Sequence, residues 1–190
     1  MRIFGGHGTA PNLWASSVSA MPFVSPIAFA RSREKKMEIK SCSTELEFSF
    51  AIAITRDYIR WLNMDLSFQN IEQELADFSS MYRPPDGLFL LAWHHGVLAG
   101  GVGFRRFDAK VCEMKRLFVY EKLRGIRFGR SLCIELIKKA KKAGYEKMRL
   151  DTLGKMKAAI RLYTTLGFKE IAPYRFNPDP TAKYMELRLR

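Results

Sequence analysis

Hydrophobic residues at helical spacing predict two helices before any strand. The first helix is expected over 46–62, where apolar side chains recur three to five residues apart. These side chains are Phe50, Ile54, Ile59 and Leu62. A second helix is expected with Ile71, Leu75 and Phe78 on one face. The stretch "RPPDG" at 83–87 ends it, because proline lacks a backbone donor and its ring obstructs the preceding helical turn.

Runs rich in β-branched and aromatic residues then predict six strands interrupted by two helices. The strands are expected at 88–93, 97–106, 111–120 and 146–153, with two closing strands within 168–174 and 182–189, and the helices at 129–143 and 155–167. His94, His95 and Gly96 form a short turn between the first two strands. Strands followed by single helices indicate an α/β fold with a mixed sheet.

The composition is that of one globular domain. The chain has 190 residues, 47% of them hydrophobic, and no apolar run approaches the roughly 20 residues that cross a bilayer. Cys42, Cys112 and Cys133 include no CxxC pair, so neither a zinc site nor a disulfide framework is indicated. Free cysteine usually packs as a small hydrophobe, and its use here favours a reducing, cytoplasmic location.

The first part of the chain differs in composition from the rest. Residues 1–36 are rich in Gly, Ser, Ala and Pro and carry no acidic residue before Glu34. We expect residues 1–43 to form a basic, disordered extension and residues 44–190 to form the domain. A secretory signal, an organelle transit peptide, and a start assigned upstream of a true Met37 all stay open for this segment.

Charge divides the chain into an acidic and a basic part. The net charge is +13, and residues 105–161 hold 18 basic and 6 acidic residues, which gives +12. Residues 44–104 hold 3 basic and 8 acidic residues, which gives −5. This division suits a protein that binds a polyanion with its basic part and attracts a cation with its acidic part. The polyanion is either a phosphorylated cofactor or a nucleic acid.

The stretch "LRGIRFGRSL" at 123–132 joins a strand to a helix through a glycine-bearing turn. Unpaired amides and the positive end of the helix dipole meet at such a turn and make an anion site. Arg124, Arg127 and Arg130 add guanidinium groups that fit phosphate oxygens. We therefore expect a phosphorylated ligand at 124–131. The P-loop and Rossmann patterns, GxxxxGK[ST] and GxGxxG, are both absent.

The segment "EMKRLFVYEKLRGIRFGRSL", followed after a strand by "AAIRLYTTLGF", resembles the GNAT superfamily of acetyl-CoA-dependent N-acetyltransferases over roughly 45–190. In that family [QR]-x-x-G-x-[GA] wraps the cofactor pyrophosphate. The matching positions are Arg124, Gly125, Ile126, Arg127, Phe128 and Gly129, followed by Arg130 and Ser131. The second signature, L-Y-x-x-x-G-F, begins at Leu162. Arg127 departs from the pattern, since it replaces the usual central glycine.

The resemblance implies a mixed, mostly antiparallel sheet with a splayed central strand and helices on both faces. It implies that Leu117, Phe118 and Val119 hydrogen-bond the pantetheine arm of acetyl-CoA. Glu113 matches the position of a carboxylate general base in several members, although ion pairing with its basic neighbours is an equally good reading. Tyr163 matches a general acid that protonates the leaving thiolate, against the alternative of a core tyrosine.

The resemblance implies an amine acceptor, of a small molecule or a peptide, and requires no metal. Acidic residues on the first two helices give a weak preference for a cationic amine; they are Asp57, Asp65, Glu72, Glu74 and Asp77. The turn-rich stretch "PYRFNPDP" at 173–180 is expected to form one wall of the acceptor cleft. Fold and cofactor leave the acceptor's identity and a homodimer open.

A second class of function stays open beside the enzyme. The basic segment 105–161 and Arg127 also fit a non-catalytic module on the same fold that binds acyl-CoA or nucleic acid. Nucleic acid is the less favoured of these partners, because an ordinary solvated helix face explains much of the charge.

Overall fold

The computed structural model describes residues 37–64 and 70–190. The strands are β1 Glu38–Ser41, β2 Gly87–His94, β3 Val97–Arg106, β4 Val111–Val119, β5 Lys147–Thr152, β6 Lys169–Ile171 and β7 Lys183–Arg188. The helices are α1 Glu45–Leu62, α2 Ile71–Ala76, α3 Phe78–Met81, α4 Phe128–Lys142 and α5 Lys157–Thr165, with a 3-10 turn at Glu121–Leu123. In the described part of the chain, no helix has the length and apolar character of a membrane span.

The seven strands form one mixed sheet in the order β1-β2-β3-β4-β5-β7-β6. Every neighbouring pair is antiparallel except β4 and β5, which run parallel. The α4 helix connects these two parallel strands, as a parallel crossover requires. The expected α/β fold with a mostly antiparallel sheet is thus confirmed.

Side chains from alternate strand positions build a separate core on each face of the sheet. On one face Leu90 and Phe104 pack with Leu132 and Leu136 of α4. On the other face Phe89 and Leu91 pack against α1 and α3, where Phe48, Ile54 and Phe78 are fully buried. Helices therefore cover both faces, as expected, and the central strands lie between them.

The parallel pair at the centre of the sheet separates along its length. Strands β4 and β5 pair only over Val111–Glu113 and Lys147–Arg149. Beyond this point β4 continues beside β3 as far as Val119, and β5 continues beside β7 as far as Thr152. The facing edges of the two strands are left without a strand partner, which confirms the splayed central strand.

A bulge in β4 accompanies this separation. Gly101 of β3 lies opposite Phe118, but Gly103 lies opposite Lys115, so β4 has one more residue than β3 in between. Arg116 lies in the bulge with a left-handed φ of 61°. A bulge bends its strand and increases local twist, which directs β4 away from β5.

Local sequence explains where α1 begins, and local backbone geometry marks the break between α2 and α3. Thr44 accepts a hydrogen bond from the Glu47 amide, and the Glu47 carboxylate accepts one from the Thr44 amide, which completes a capping box for α1. The expected second helix is interrupted at Asp77, which is both the C-cap of α2 and the residue before α3. Its φ of −101° and ψ of 19° lie outside the helical region.

The predicted start of the domain at residue 44 is too late. Glu38–Ser41 pairs in register with Ser41 opposite Leu90 and Glu38 opposite Trp93, so the sheet begins inside the predicted extension. The alternating pattern of this four-residue edge strand is too short to be recognised without its partner. The remainder of the predicted extension, residues 1–36, lies outside the described residues.

Candidate active site

A narrow cleft of about 80 Å³ lies where β4 and β5 separate. Its walls come from α1, β4, β5, α5 and the segment before β7. The residues whose chemistry matters most are Tyr58, Lys115, Arg116, Leu117, Asp151, Tyr163 and Asn177. The bulge and the lost pairing thus place polar side chains from five parts of the chain around one opening through the sheet.

At one end of β4 the turn at 124–128 presents free amides. Gly125 has a φ of 87° and Arg127 has a φ of 67° with a ψ of 7°, so two left-handed residues turn the chain into α4. Within the described residues, no acceptor bonds the backbone amides from Gly125 to Arg130. This is the concave group of donors that binds phosphate at a helix N-terminus.

Arg127, which replaces the usual central glycine, adopts a left-handed backbone conformation. A left-handed backbone disfavours a residue with a Cβ by about 1–2 kcal/mol relative to glycine. The Arg127 side chain is exposed and makes no hydrogen bond or ion pair with any described residue. Its guanidinium is therefore available to a ligand in the turn.

The other two arginines of the loop are already engaged. Arg124 donates to the Val119 carbonyl at 3.0 Å, and its guanidinium carbon lies 4.6 Å from the centre of the Trp61 ring. Arg130 donates to the Thr165 hydroxyl at 3.2 Å. Of the three arginines expected around one phosphate, Arg127 is thus the one whose side chain bonds no residue in the described part of the chain.

Tyr163 projects from α5 into the cleft. It is 7% exposed and packs with Phe168, and its hydroxyl bonds no described residue. Burial raises the pKa of this phenol well above its ordinary value, and the nearby Cys133, Tyr58 and Asp151 reinforce the shift. The hydroxyl therefore keeps its proton at neutral pH, as a proton donor must.

Glu113 lies at the last paired position of β4 and is buried among cations. Its carboxylate accepts hydrogen bonds from Arg175 at 2.7 Å, the Tyr174 hydroxyl at 3.0 Å and Arg105 at 3.3 Å. Burial alone would raise its pKa, but the charges of Lys115, Arg175 and Arg105 and the Tyr174 hydrogen bond together lower it. Glu113 faces a second cavity and does not line the cleft that holds Tyr163.

Lys115 and Asp151 face each other across the splayed strands. The Lys115 ammonium is 3.9 Å from the Asp151 carboxylate and 3.8 Å from Glu113, and it makes no hydrogen bond with the described residues. Burial lowers the pKa of Lys115 to about 8, although Glu113 and Asp151 act in the opposite direction. Asp151 also accepts from the Asn177 amide at 3.1 Å.

A buried ion pair holds the bulge. Arg116 donates to both oxygens of Glu74, at 2.8 and 2.7 Å, and the Tyr82 hydroxyl donates to Glu74 at 2.9 Å. Burial raises the pKa of Glu74, but the Arg116 hydrogen bonds and charge outweigh burial and lower the pKa to about 2. This pair fixes the one residue whose backbone is strained in β4.

The acidic residues that suggested a cationic acceptor do not form a free acidic surface. Glu74 is neutralised by Arg116, and Asp57 is bonded by Arg60 and Tyr120. Glu72 and Asp77 are exposed, and Asp65 lies outside the described residues. The net charge of residues 44–104 thus says little about the charge of the cleft.

The cysteines are buried and free and His95 lies in a turn, as the sequence predicted. Cys42, Cys112 and Cys133 are buried and free, and burial raises each thiol pKa to about 12. His95 and Gly96 make the tight turn between β2 and β3 with positive φ values. In the described residues, no cluster of three or more His, Cys, Asp and Glu side chains could hold a metal ion.

Four residues around the cleft and Glu113 were not predicted as site residues from the sequence. They are Arg105, Lys115, Asp151 and Arg175. Lys115 and Asp151 have buried side chains in β4 and β5, at "EMKRLF" and "RLDTL". Both strands carry other charged residues, so the sequence did not single these two out. Arg105 and Arg175 meet Glu113 from positions 8 and 62 residues away along the chain. Only the folded chain brings these together.

Comparison with known proteins agrees with the fold. Residues 55–168 match the model of the acetyltransferase (GNAT) family. An uncharacterized N-acetyltransferase of Schizosaccharomyces pombe is 41% identical over 138 residues, which cover 72% of this chain and 85% of that protein.

Solved acetyltransferases share the architecture. A Streptococcus agalactiae acetyltransferase superposes with a TM-score of 0.67 at 24% identity and covers 81% of this chain and 99% of its own. A Salmonella typhimurium structure with its cofactor acetyl-CoA has a TM-score of 0.63 at 22% identity, covering 82% and 95%. With the family match over most of the domain, these likenesses establish that the chain belongs to the GNAT family of N-acetyltransferases.

Proposed function

We propose that this N-acetyltransferase moves an acetyl group from acetyl-CoA directly to a primary amine at the splay of β4 and β5. The observation that carries the proposal is the row of unbonded amides from Gly125 to Arg130, which lies at the end of the unpaired strand edge. Both features leave backbone groups unsatisfied that a bound ligand can pair. Acetyl-CoA supplies the acetyl group as a thioester.

The residues of the loop fit the pyrophosphate of CoA. The amides of Ile126, Phe128 and Gly129 belong to the turn or to the first turn of α4 and bond no described residue, whereas the Ser131 amide donates to the Arg127 carbonyl. Gly125 has room around it, with no atom within 4 Å of an added Cβ. Arg127 is the charged group we assign to the phosphate oxygens. Arg124 and Arg130 need to leave their present partners before they can contribute.

The edge of β4 is assigned to the pantetheine arm. Leu117 and Phe118 lie beyond the last pairing with β5, so an extended ligand can take the place of the absent strand. The Val119 carbonyl is bonded by Arg124, and its use by a ligand therefore requires that arginine to move. This makes Arg124 a link between the loop and the strand edge.

The proposed reaction needs a general acid and a general base. Tyr163 gives its proton to the departing sulfur, because its raised pKa keeps the phenol protonated and it lines the cleft. A carboxylate accepts the proton that the amine loses as the new C–N bond forms. Glu113 and Asp151 are the two candidates, and Asp151 has the better position because it lines the cleft with Tyr163.

Titration of acetyl-CoA into the full chain tests the cofactor site. The wild type should bind, and Arg127→Gly should bind about 10-fold or more weakly, since a charge-assisted hydrogen bond contributes about 1.5–3 kcal/mol. Arg56→Gly, at an exposed position of α1, is the matched control. Absence of acetyl-CoA binding by the wild type would remove the proposal, and equal affinity in Arg127→Gly would remove the role of that side chain.

The proton acceptor is tested by two isosteric variants. Asp151→Asn should lower kcat by about 100-fold or more, the usual contribution of a positioned base. Glu113→Gln should leave the pH dependence of kcat in place if Asp151 is the base. The reverse pattern, with the pH dependence lost only in Glu113→Gln, would return the role to Glu113.

A further inference from the structure

A larger cavity of about 390 Å³ lies beside the cleft, on the face covered by α1 and α3. Its walls are Ser80, Met81, Asp86, Arg105, Arg106, Phe107, Glu113 and Arg175. This volume lies in the range that holds a small molecule. It adjoins the cleft through β4, where Glu113 and Lys115 approach to 3.8 Å, and through the 173–180 segment, where Arg175 lines the cavity and Asn177 lines the cleft.

Glu113 orients two arginines toward this space. It is 2% exposed and binds Arg175 through one carboxylate oxygen and Arg105 through the other. Each guanidinium carries five N–H donors, and Arg175 uses one of them on a described residue. The side chains of Arg105 and Arg175 are 25% and 20% exposed, so their remaining donors reach the cavity.

Among the described residues, the Glu113 carboxylate contacts more than one cation. Contacts of 4 Å or less connect four cations, Arg105, Lys115, Arg116 and Arg175, with three carboxylates, Glu74, Glu113 and Asp151. Three of these cations, Arg105, Lys115 and Arg175, contact the single carboxylate of Glu113. The Lys115 ammonium makes no hydrogen bond within the described part of the chain and is 5% exposed. Buried charges of this kind are normally paired.

We propose that the acceptor is an amine that also carries a carboxylate, and that Arg105 and Arg175 bind this carboxylate while the amine lies at the splay. The inference rests on the proposed acetyl transfer and names its acceptor class. An amine must be uncharged to react, and a carboxylate then leaves the acceptor with one negative charge. That charge is complementary to the guanidinium groups of Arg105 and Arg175, which line the cavity. Glu113 is a positioning residue in this arrangement, since it acts through the two arginines.

Matched acceptors isolate the contribution of the carboxylate. Glycine, methionine, phenylalanine and lysine, each as the free acid and as its carboxamide, are supplied to the full chain with acetyl-CoA, and thiol release gives kcat/KM for each. Spermidine serves as an amine without a carboxylate. For each variant, kcat/KM for the acid is divided by kcat/KM for its carboxamide, and this acid-to-amide ratio is compared with that of the wild type. The comparison cancels the difference in basicity between the two amines.

Arg175→Met should lower the acid-to-amide ratio by about 10- to 100-fold, the range expected for a lost hydrogen bond between charged groups. Arg56→Met, which removes an exposed arginine of α1, should leave the ratio unchanged. Should Arg175→Met fail to fold, Arg105→Met tests the same site from β3. Glu113→Gln should lower the ratio as well, whereas a purely structural role would lower activity on acid and amide alike.

The outcomes separate this inference from the proposed function. Thiol release with acids that falls selectively in Arg175→Met supports both. Release with spermidine or the amides as good as with the acids, or a ratio within twofold of the wild type in Arg175→Met and Arg105→Met, overturns the carboxylate site and leaves acetyl transfer intact. Absence of release with every amine overturns the proposed function itself.

Discussion

Replacing Arg127 with glycine should stabilise the ligand-free protein. Arg127 has a φ of 67°, and a left-handed backbone costs a non-glycine residue about 1–2 kcal/mol. Glycine has more conformational freedom in the unfolded chain, which offsets about 0.5–1 kcal/mol of the stability gained by relieving this strain. Arg127 makes no side-chain hydrogen bond or ion pair with the described residues that the change would remove, so the net gain should be about 0.5–1 kcal/mol.

The matched control is Arg130→Gly, three residues further along. Arg130 is the third residue of α4, where glycine is less favourable than a good helix former by up to about 1 kcal/mol, and among the described residues its side chain bonds the exposed Thr165. The same chemical change should thus raise stability at one position and lower it at the other. Urea unfolding followed by circular dichroism measures both, with the denaturation slope expected to stay constant.

A less stable Arg127→Gly protein would refute this reasoning. It would mean that the arginine makes stabilising interactions in the free protein, and that its left-handed conformation is not strained. A more stable variant that also binds acetyl-CoA more weakly would show that the residue serves the ligand at a cost in stability. Such strain at a functional loop is common where a site is prearranged.

Three further changes test other parts of the account. Glu74→Gln should destabilise the protein by about 3 kcal/mol at pH 7, because the pKa of Glu74 falls from 4.5 to about 2 on folding. In the wild type this contribution is complete above pH 4.5 and is lost as the pH falls toward 2. Unfolding measured as a function of pH tests this. Gly103→Ala should cost about 1–3 kcal/mol in thermal or urea unfolding, because its Cβ would lie 2.7 Å from the Phe89 ring, whereas Gly129→Ala meets Leu162 at an ordinary 3.6 Å and should not destabilise. Tyr163→Phe should lower kcat by about 100-fold or more with little change in acetyl-CoA affinity, and an unchanged kcat would exclude the tyrosine as the acid.

Local patterns predicted most of the elements because each carries its own signal. The apolar spacing predicted a helix over 46–62, which the structure has as Glu45–Leu62, and the strands β2 to β4 agree within one or two residues. The strand β1 was missed, since four residues at a sheet edge show no pattern without their partner β2. The break at Asp77 was also missed, because the apolar face continues from α2 into α3.

The site was harder to predict because its geometry depends on contacts between distant residues. The loop proposed to bind phosphate is one continuous segment, so its glycine turn and helix start could be recognised from the sequence. Glu113 could not be assigned in the same way, since its partners Arg105 and Arg175 come from β3 and from the segment before β7. The bulge at Arg116, which opens the sheet, likewise depends on its pairing with Glu74.

Acceptor-dependent release of the CoA thiol is the measurement that tests the central claim most directly. The full chain is incubated with acetyl-CoA and a panel of amines, and thiol release is followed together with the mass of the product. Direct transfer predicts release that requires an amine, with an acetylated amine formed in equal amount. Acetyl-CoA binding without amine-dependent release from any acceptor would contradict the account.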